Sequence, residues 1–469
     1  MSFRRVTLFC LFLTIIFASF ASCGGGSNDD GVDDTVVKPH YVTYFIDSKE
    51  GDDKNKGTSA SLAWKSTLRL DTLILKPGDT VRFKRGSEFF MPIFINNSGE
   101  KDKYITLSDY GDAALPSPSF TNSMFEQDNF GNCIRIKGSY VIVENLCFQH
   151  TAAYVDGTYT SDGGWTEWQM GAVYIDKTAR NCIVRNNEFF DCVVGIKSYG
   201  QNAIIEYNYV HDCNRVLRAW NWGPIGIWLG ADFQEVRYNR VFNIRAENAQ
   251  IPWNGADGGA FEVDDQRNDK TNIAIHHNYT RDCQGFMEIT GMDVLKVVPN
   301  YSGFRIHHNI SDDYQQFLLM WGGANCRIEN NTVIRRKVNG NEKGCILVSQ
   351  ANSKNVIANN IFVVENNVQV FLAGQNDNIS TQSIIENNLY FNASTLVMPI
   401  LGKDGAGSSP VYGDPLFVNY ANANVPEDYA IKQGSPAINK GEILGYTVDF
   451  KGTTIPQGGV ADIGAFEFK

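Results

Sequence analysis

A short pattern recurs between residues 140 and 390: a β-branched residue, two further residues, Asn, and an apolar residue two positions on. One earlier copy, at 143–148, has Leu146 in place of Asn. Successive asparagines are 21, 31, 39, 31, 22, 29 and 28 residues apart, as expected for coils of about 21 residues that carry loop insertions of variable length. The eight asparagines are Asn187, Asn208, Asn239, Asn278, Asn309, Asn331, Asn360 and Asn388.

Each copy alternates between apolar and polar residues. All nine begin with Val or Ile, and the next residue is polar in every copy but one. A period of two predicts a strand with one buried face. Strands of stacked coils lie ~4.8 Å apart, so identical side chains align and the asparagines can form a hydrogen-bonded ladder. A leucine-rich repeat would need several Leu per repeat, and propeller blades are longer and less variable. The chain is therefore predicted to be all-β, a single-stranded parallel β-helix, or solenoid, with long loop insertions.

Segments near both ends resemble a known family. TYFID at 43–47 and LKPGDTVRFKRG at 75–86 resemble the entry to right-handed β-helix proteins of the pectate-lyase-like superfamily. DPLF at 414–417, QGSPAINKG at 433–441 and ADIGAFEF at 461–468 resemble the superfamily's C-terminal anchor segment. The resemblance implies a right-handed β-helix and a carbohydrate ligand. It does not assign a reaction.

The resemblance also implies an order of parts, with one β-helix domain over 41–469. We expect an N-terminal cap at 41–115, coils at 116–412 and the anchor segment at 413–469. A monomer is expected.

The N-terminus has the features of an export signal. Arg4 and Arg5 precede an apolar run over 6–21, which is too short to be a membrane-spanning helix. The sequence Ala-Ser-Cys23-Gly resembles the lipobox of bacterial lipoproteins, which implies cleavage before Cys23 and acylation of its thiol. An ordinary secretory signal is the alternative. We expect a signal peptide at 1–22 and a flexible acidic tether at 23–40, of the kind that resembles surface-export signals of Bacteroides-type bacteria. The expected location is the outer membrane, facing the cell surface or the periplasm.

Charge and cysteine spacing exclude two classes. A net charge of −11 argues against a nucleic-acid partner. No C-x-x-C spacing occurs, which argues against a zinc site built from cysteines. Cys192, Cys213 and Cys283 each follow Asp in the same local pattern, so we expect stacked, buried thiols and no disulfide framework.

Tryptophan is concentrated in one stretch. Seven of the eight Trp residues lie within 165–321, where the insertions are longest. Indole faces stack on sugar rings, so the cluster predicts a carbohydrate cleft; the alternative is that these rings only pack loops onto the coils. The predicted substrate-binding residues are Trp165, Trp222, Trp253, Trp321, Arg218 and Lys197.

Carboxylates occupy the same stretch. If Phe261 and Val263 point inward, Glu262 and Asp264 point outward together, ~6.5–7 Å apart. Aligning adjacent coils places Glu288 one rung from Glu262. Glycoside hydrolysis needs two such carboxylates, one as acid and one as nucleophile or base. The alternative is a solvated acidic face. The candidate catalytic residues are Asp264 and Glu262 first, then Glu288, Asp232 and Asp257.

His276, His277, His307 and His308 form two pairs in adjacent coils. Neighbouring residues of a strand face opposite ways, so at most two of these side chains are expected to converge. A hydrogen-bonded outer ladder is the favoured interpretation, and no metal site is predicted.

Three functions follow, and no cofactor is expected for the first or third. The first is a glycoside hydrolase of polysaccharide or oligosaccharide. The second is a polysaccharide lyase, with Lys197 as the base and Ca²⁺ as a possible cofactor. Residues 160–330 carry 15 Lys plus Arg and 21 Asp plus Glu, so an acidic groove would repel uronate polymers. The third is a non-catalytic, adhesin-like glycan-binding protein.

Overall fold

The computed structural model describes residues 41–469, with gaps. The gaps include the stretches where most of the predicted loop residues lie. The residues left undescribed are 1–40, 124, 127–128, 152–169, 215–223, 246–258, 264–267, 290–300, 321, 337–343, 349–351, 374–382, 397 and 403–404.

Three long parallel sheets run along the described residues, and each coil between Thr80 and Ala373 contributes one strand to each sheet in turn. Sheet A contains Thr43–Ile46, Thr80–Lys84, Ile105–Tyr110, Val141–Glu144, Ile183–Arg185, Ile204–Glu206, Glu235–Arg237, Ala274–His276, Arg305–His307, Arg327–Glu329, Asn355–Ala358 and Ser383–Glu386. Sheet B contains Glu88–Phe89, Ser119–Thr121, Cys147–Gln149, Glu188–Phe190, Tyr209–Cys213, Arg240–Ile244, Tyr279–Arg281, Ile310–Asp312, Thr332–Arg335, Ile361–Val364, Leu389–Asn392 and Val411–Tyr412. Sheet C contains Ile93–Ile95, Ile134–Ile136, Val173–Ile175, Val194–Ser198, Ile225–Leu229, Gly259–Val263, Met287–Ile289, Leu318–Met320, Gly344–Val348 and Gln369–Ala373.

Smaller elements complete the fold. A four-stranded sheet between sheets C and A contains Lys270–Thr271, Tyr301–Ser302, Gly323–Ala324 and Asn352–Ser353. A short antiparallel pair joins Phe125–Glu126 to Asn129–Phe130. The described 3-10 helices are Ala60–Leu62, Thr67–Asp71, Tyr420–Asn422 and Pro426–Tyr429.

The predicted stacking is confirmed residue by residue. Ile275 is the register partner of Ile306, and Ile306 is the partner of Ile328. All three side chains are buried in the central apolar core, which the inward faces of the sheets enclose. Strand-to-strand crossovers of this kind are right-handed. The chain is therefore a right-handed parallel β-helix, as the sequence predicted.

The predicted asparagine ladder is also present. The Asn278 amide donates to Asn309 Oδ1 at 3.1 Å and to the Val236 carbonyl at 2.9 Å. The same Oδ1 of Asn309 accepts the backbone N–H of Asn278 at 3.0 Å. This arrangement repeats from Asn187 to Asn388, so each amide satisfies buried backbone groups at the turn between sheets A and B.

The residue before each ladder asparagine turns the chain. It adopts a positive φ in every copy, for example 54° at Asn186 and 56° at His277. Asn supports this left-handed conformation better than most residues, whereas His does so at a cost. The corner between sheets A and B is thus two residues long in each coil.

The interior is not apolar throughout. Asp313 is fully buried and accepts hydrogen bonds from Thr280 Oγ1 at 2.5 Å and Ser311 Oγ at 2.6 Å. Arg335, also fully buried, donates to Ser311 Oγ at 3.0 Å. Burial raises the pKa of Asp313. Cys192, Cys213 and Cys283 are free thiols and buried, as predicted. Cys192 and Cys213 are stacked, with the Cys192 N–H donating to Cys213 Sγ at 3.4 Å, whereas Ile244 is the register partner of Cys213 in the next coil, before Cys283.

The segment 413–469 lies across the outer face of sheet B. Phe417 and Tyr429 pack there against Ile310 and Ile334 in a second apolar core. The Tyr429 hydroxyl donates to Asp312 Oδ2 at 2.6 Å. At the other end of the chain, Thr43–Ile46 already pairs with Thr80–Lys84, so the stack begins within the segment expected to form the cap.

No helix among the described residues has the length and apolar character that crossing a membrane requires.

Candidate active site on sheet C

A row of outward side chains crosses the middle of sheet C. Register pairs each member with the next: Lys197 with Trp228, Trp228 with Glu262, and Glu262 with Glu288. We call this set the sheet C row. Its members in chain order are Arg135, Tyr174, Lys197, Trp228, Glu262 and Glu288.

The row is largely withdrawn from solvent. Glu262 is 2% exposed, Trp228 is 1% exposed and Lys197 is fully buried, while Glu288 is partly exposed. A solvated acidic face is therefore excluded for Glu262. Charged side chains are seldom buried to this degree unless they are paired or carry out chemistry, which makes the row a candidate functional site.

Lys197 lies between aromatic rings. Its Nζ is 3.2 Å from the centroid of the Trp228 ring and 5.7 Å from that of Tyr199. Ring faces attract the ammonium form of lysine. Gly171 lies against this side chain, and a Cβ at position 171 would come within 3.0 Å of Lys197 Cβ. A larger residue at position 171 would therefore press on Lys197.

Arg135, the other cation of the row, is held in place by an ion pair and a ring contact. Arg135 donates to Asp176 at 3.2 Å, and its guanidinium lies 5.1 Å from the centroid of the Tyr174 ring. Burial, and then the charge of Asp176, raise the pKa of Tyr174. Tyr174 therefore stays a neutral phenol at physiological pH.

The two carboxylates of the row stand on neighbouring strands. Glu262 and Glu288 are register partners, so the predicted adjacency of these two residues is confirmed. Backbones of adjacent parallel strands lie ~4.8 Å apart. Retaining glycosidases hold their two carboxyl groups ~5–5.5 Å apart, and inverting enzymes hold them farther apart, so neighbouring strands can supply a pair of this kind.

Asp232 lies outside the row. It follows Ile225–Leu229 in a turn, where its Oδ1 accepts the backbone N–H of Thr271 at 2.7 Å. This contact fixes Lys270–Thr271, the first strand of the four-stranded sheet, so Asp232 stabilises the fold at this position.

Seven predicted site residues lie outside the described residues. They are Asp257, Asp264, Trp165, Trp222, Trp253, Trp321 and Arg218.

Sequence reasoning overlooked three members of the row: Arg135, Tyr174 and Trp228. The signal was available, because each follows an inward aliphatic residue in the same way as Lys197 follows Ile196. Extending the alignment of adjacent coils to 134–136 and 173–175 would have placed them.

The expectation that at most two histidines converge was wrong. Ring nitrogens of His276, His277 and His307 lie within 4.8 Å of one another. The alternation of a strand ends at His277, whose φ of 56° turns its side chain toward that of His276. The prediction failed because it assumed that strand alternation continues through His277, which instead lies in the two-residue corner between sheets A and B.

Two clefts open on the outer face of sheet B. One, of about 460 Å³, is lined by Glu188, Phe190 and His211 among others. The second, of about 500 Å³, shares His211 and adds Tyr209 and Tyr314. Tyr209 and His211 stack with ring centroids 4.1 Å apart, which gives an aromatic surface of the kind that sugars contact.

Comparison with known proteins supports the fold. No family model matches the chain. A lacto-N-biosidase of Bifidobacterium longum subsp. longum is 23% identical over 547 aligned positions, which cover 90% of this chain. The chain spans about a third (33%) of the length of that relative.

Two solved structures are similar over most of both chains. Pectate lyase Pel9A has a TM-score of 0.55 and 13% identity, with 92% of this chain and 97% of that one covered. The complex of XylC with xylose has a TM-score of 0.55 and 10% identity, covering 91% and 98%. The chain thus shares its right-handed parallel β-helix fold with these two structures.

Proposed function

We propose that this protein is a carbohydrate-active enzyme that hydrolyses a glycosidic bond at the sheet C row. The observation that carries the proposal is the register pairing of Glu262 with Glu288 in a row that is mostly buried. The likeness to a lacto-N-biosidase supports a glycosidase, and the structure with bound xylose has the same fold.

In this mechanism one carboxylic acid protonates the leaving oxygen while the other carboxylate attacks the anomeric carbon or activates water. Glu262 and Glu288 fill these two roles. Asp264, two residues after Glu262 in the sequence, lies outside the described residues and stays a further candidate carboxylate from the sequence. Lys197 and Arg135 place positive charge along the row, which favours a polar, hydroxyl-rich ligand.

A polysaccharide lyase is the second candidate, because a buried lysine lies in the row. A lyase base must accept a proton; the Trp228 ring favours the ammonium form of Lys197, whereas burial favours its neutral form. Product analysis separates the two reactions. A lyase leaves an unsaturated uronide that absorbs in the near ultraviolet, and a hydrolase does not.

The experiment is incubation of the protein with a panel of oligosaccharides and polysaccharides that includes a lacto-N-biose glycoside and uronate polymers. We expect new reducing ends without ultraviolet-absorbing product. Binding without turnover on the whole panel would favour a glycan-binding protein, and the aromatic clefts of sheet B would then be the first surface to test.

We further propose that Cys23 is acylated and that the protein is exported to the outer membrane. Export would bring the domain into contact with extracellular glycans. Labelled palmitate is expected to enter the wild-type protein expressed in its own host and to be absent from Cys23→Ala. Equal labelling of both proteins would contradict the proposal.

A further inference from the structure

Four of the seven histidines of the chain meet at the corner between sheets A and B, away from the sheet C row. The Nδ1 atoms of His276 and His277 lie 2.7 Å apart. His307 stacks on His276 with ring centroids 4.7 Å apart, and His308 stacks on His277 at 5.1 Å. We call His276, His277 and His307 the histidine cluster.

The outer nitrogens of the first pair both face acceptors. His276 Nε2 is 2.9 Å from Glu235 Oε1, and His277 Nε2 is 3.1 Å from the Asp449 carbonyl. Glu235 Oε1 also accepts from Arg237 Nη1 at 2.6 Å, so this carboxylate is an acceptor in both contacts. Each Nε2 must therefore carry its ring's hydrogen.

A neutral imidazole has a single N–H. With both Nε2 atoms protonated, the two Nδ1 atoms direct lone pairs at each other across 2.7 Å. Two acceptors at that distance repel. A cation at these nitrogens relieves the repulsion. An added proton, which turns one ring into an imidazolium, fits the 2.7 Å separation as it stands, whereas a metal ion bound by both nitrogens would move them apart to about 3.3 Å.

Three observations favour the metal. A ring nitrogen of a third histidine, His307, lies within 4.8 Å of a ring nitrogen of each of the first two, which an added proton does not require. His277 and His307 are 5% and 7% exposed, so bulk water has little access to their ring nitrogens. Metal-bound histidines usually donate their other N–H to a carboxylate or a backbone carbonyl, as His276 and His277 do here.

We propose that the histidine cluster binds one divalent transition-metal ion of the zinc class. Three imidazoles suit zinc, copper or nickel and are poor ligands for calcium or magnesium. The site also contacts the C-terminal segment, through the Asp449 carbonyl and through the Tyr446 ring, which lies 4.3 Å from His307. The metal thus fastens the segment around 446–449 to two coils.

The test uses the full chain purified without a polyhistidine tag. After dialysis against a chelator, the protein is titrated with Zn²⁺ by calorimetry and with Co²⁺ by visible absorption. We expect one equivalent per chain, cobalt bands typical of nitrogen ligands, and a higher melting temperature with metal than without it.

Variants assign the site. His276→Gln and His307→Gln are expected to weaken Zn²⁺ binding at least tenfold and to remove the effect of metal on melting. His150→Gln is the matched control, because His150 is exposed and lies outside the cluster.

Absence of stoichiometric metal from the wild-type protein would overturn the proposal and leave a proton shared by His276 and His277. Undiminished binding in both cluster variants would overturn it as well. If a variant fails to fold, the cobalt spectrum and metal content of the wild-type protein still decide. Hydrolysis at the sheet C row is measured separately, so failure of either proposal leaves the other standing.

Discussion

At the scale of single residues, the sheet C row concentrates charge where solvent is nearly absent. Lys197 is fully buried and Glu262 is 2% exposed, yet both lie on outward strand positions. Burying charge in this way costs stability unless the groups are paired, and natural proteins tolerate such costs mainly at functional sites. The row therefore ranks above the exposed charges of the coils as a place for chemistry.

Removing either carboxylate of the row tests this assignment. Glu262→Gln and Glu288→Gln keep the side-chain volume but remove the acid or nucleophile, so kcat should fall by roughly 10²–10⁴-fold. Glu427→Gln, at an exposed position outside the row, is the matched control. Full turnover in both row variants would remove the assignment.

Asp47 gives a pH prediction at the N-terminal end. Burial alone would raise its pKa, but hydrogen bonds from Lys84 at 2.7 Å and from two backbone N–H groups outweigh burial and lower it. A lowered folded-state pKa contributes stability above the unfolded value of about 4, and that stability is lost as the pH falls further. Melting temperature should therefore drop more steeply below pH 4 in the wild type than in Asp47→Asn.

Exposed Asp71 provides the control for that measurement. Asp71→Asn should keep the steep wild-type slope. Parallel curves for wild type and Asp47→Asn would contradict the role given to Asp47.

At the scale of elements, the asparagine ladder joins the coils by side-chain amides as well as by strand pairing. Each ladder amide spans two neighbouring coils, because it donates backward to a carbonyl and forward to the next amide. A repeat fold is stabilised through such nearest-neighbour contacts. An asparagine in the middle of the ladder should therefore contribute more to the free energy of unfolding than the asparagine at its beginning.

Asn278→Leu and Asn187→Leu compare these positions. Losing Asn278 leaves the backbone N–H and the amide of Asn239 without their acceptor, whereas losing Asn187 affects only the backbone N–H of Leu146 on that side. Each buried donor left unsatisfied costs about 1–3 kcal/mol. Chemical denaturation should show the larger loss of unfolding free energy for Asn278→Leu, and equal losses would contradict the ladder argument.

The strands of the coils and the asparagine ladder were predictable from the sequence because the same residue types recur at the same positions of the repeated pattern. The alignment of GGAFEVD at 258–264 with QGFMEIT at 284–290 placed Glu288 beside Glu262. The histidine cluster was missed since its geometry depends on a positive φ at His277, which alternation alone does not reveal. The long insertions share no repeat, so position in the sequence does not place Asp257 or Trp253.

At the scale of the whole molecule, the segment 413–469 converts one outer face into a second core. Outward residues of sheet B such as Ile310 and Ile334 would otherwise face solvent. The resemblance placed an anchor segment here, but the apolar character of that outer face could not be separated from the interior by pattern alone.

Truncating a buried contact of this segment tests its contribution. Phe417 is 5% exposed, and Phe417→Ala should lower the unfolding free energy by about 3–5 kcal/mol. Ile443→Ala, at an exposed site in the same segment, should change it little. Similar small effects of both changes would indicate that the segment only rests on sheet B.

The lengthwise course of this segment has a mechanical consequence. It is tied to successive coils through Asp312, Glu329 and Asn359, which bond Tyr429, Tyr446 and the Glu442 carbonyl. A pulling force applied at the C-terminus would therefore act on the contacts to several coils at once. In a solenoid without such a segment, the same force would detach the terminal coil first and then the others one by one. When the protein is pulled from its C-terminus, the segment 413–469 should resist extension and then detach from the coils in one step.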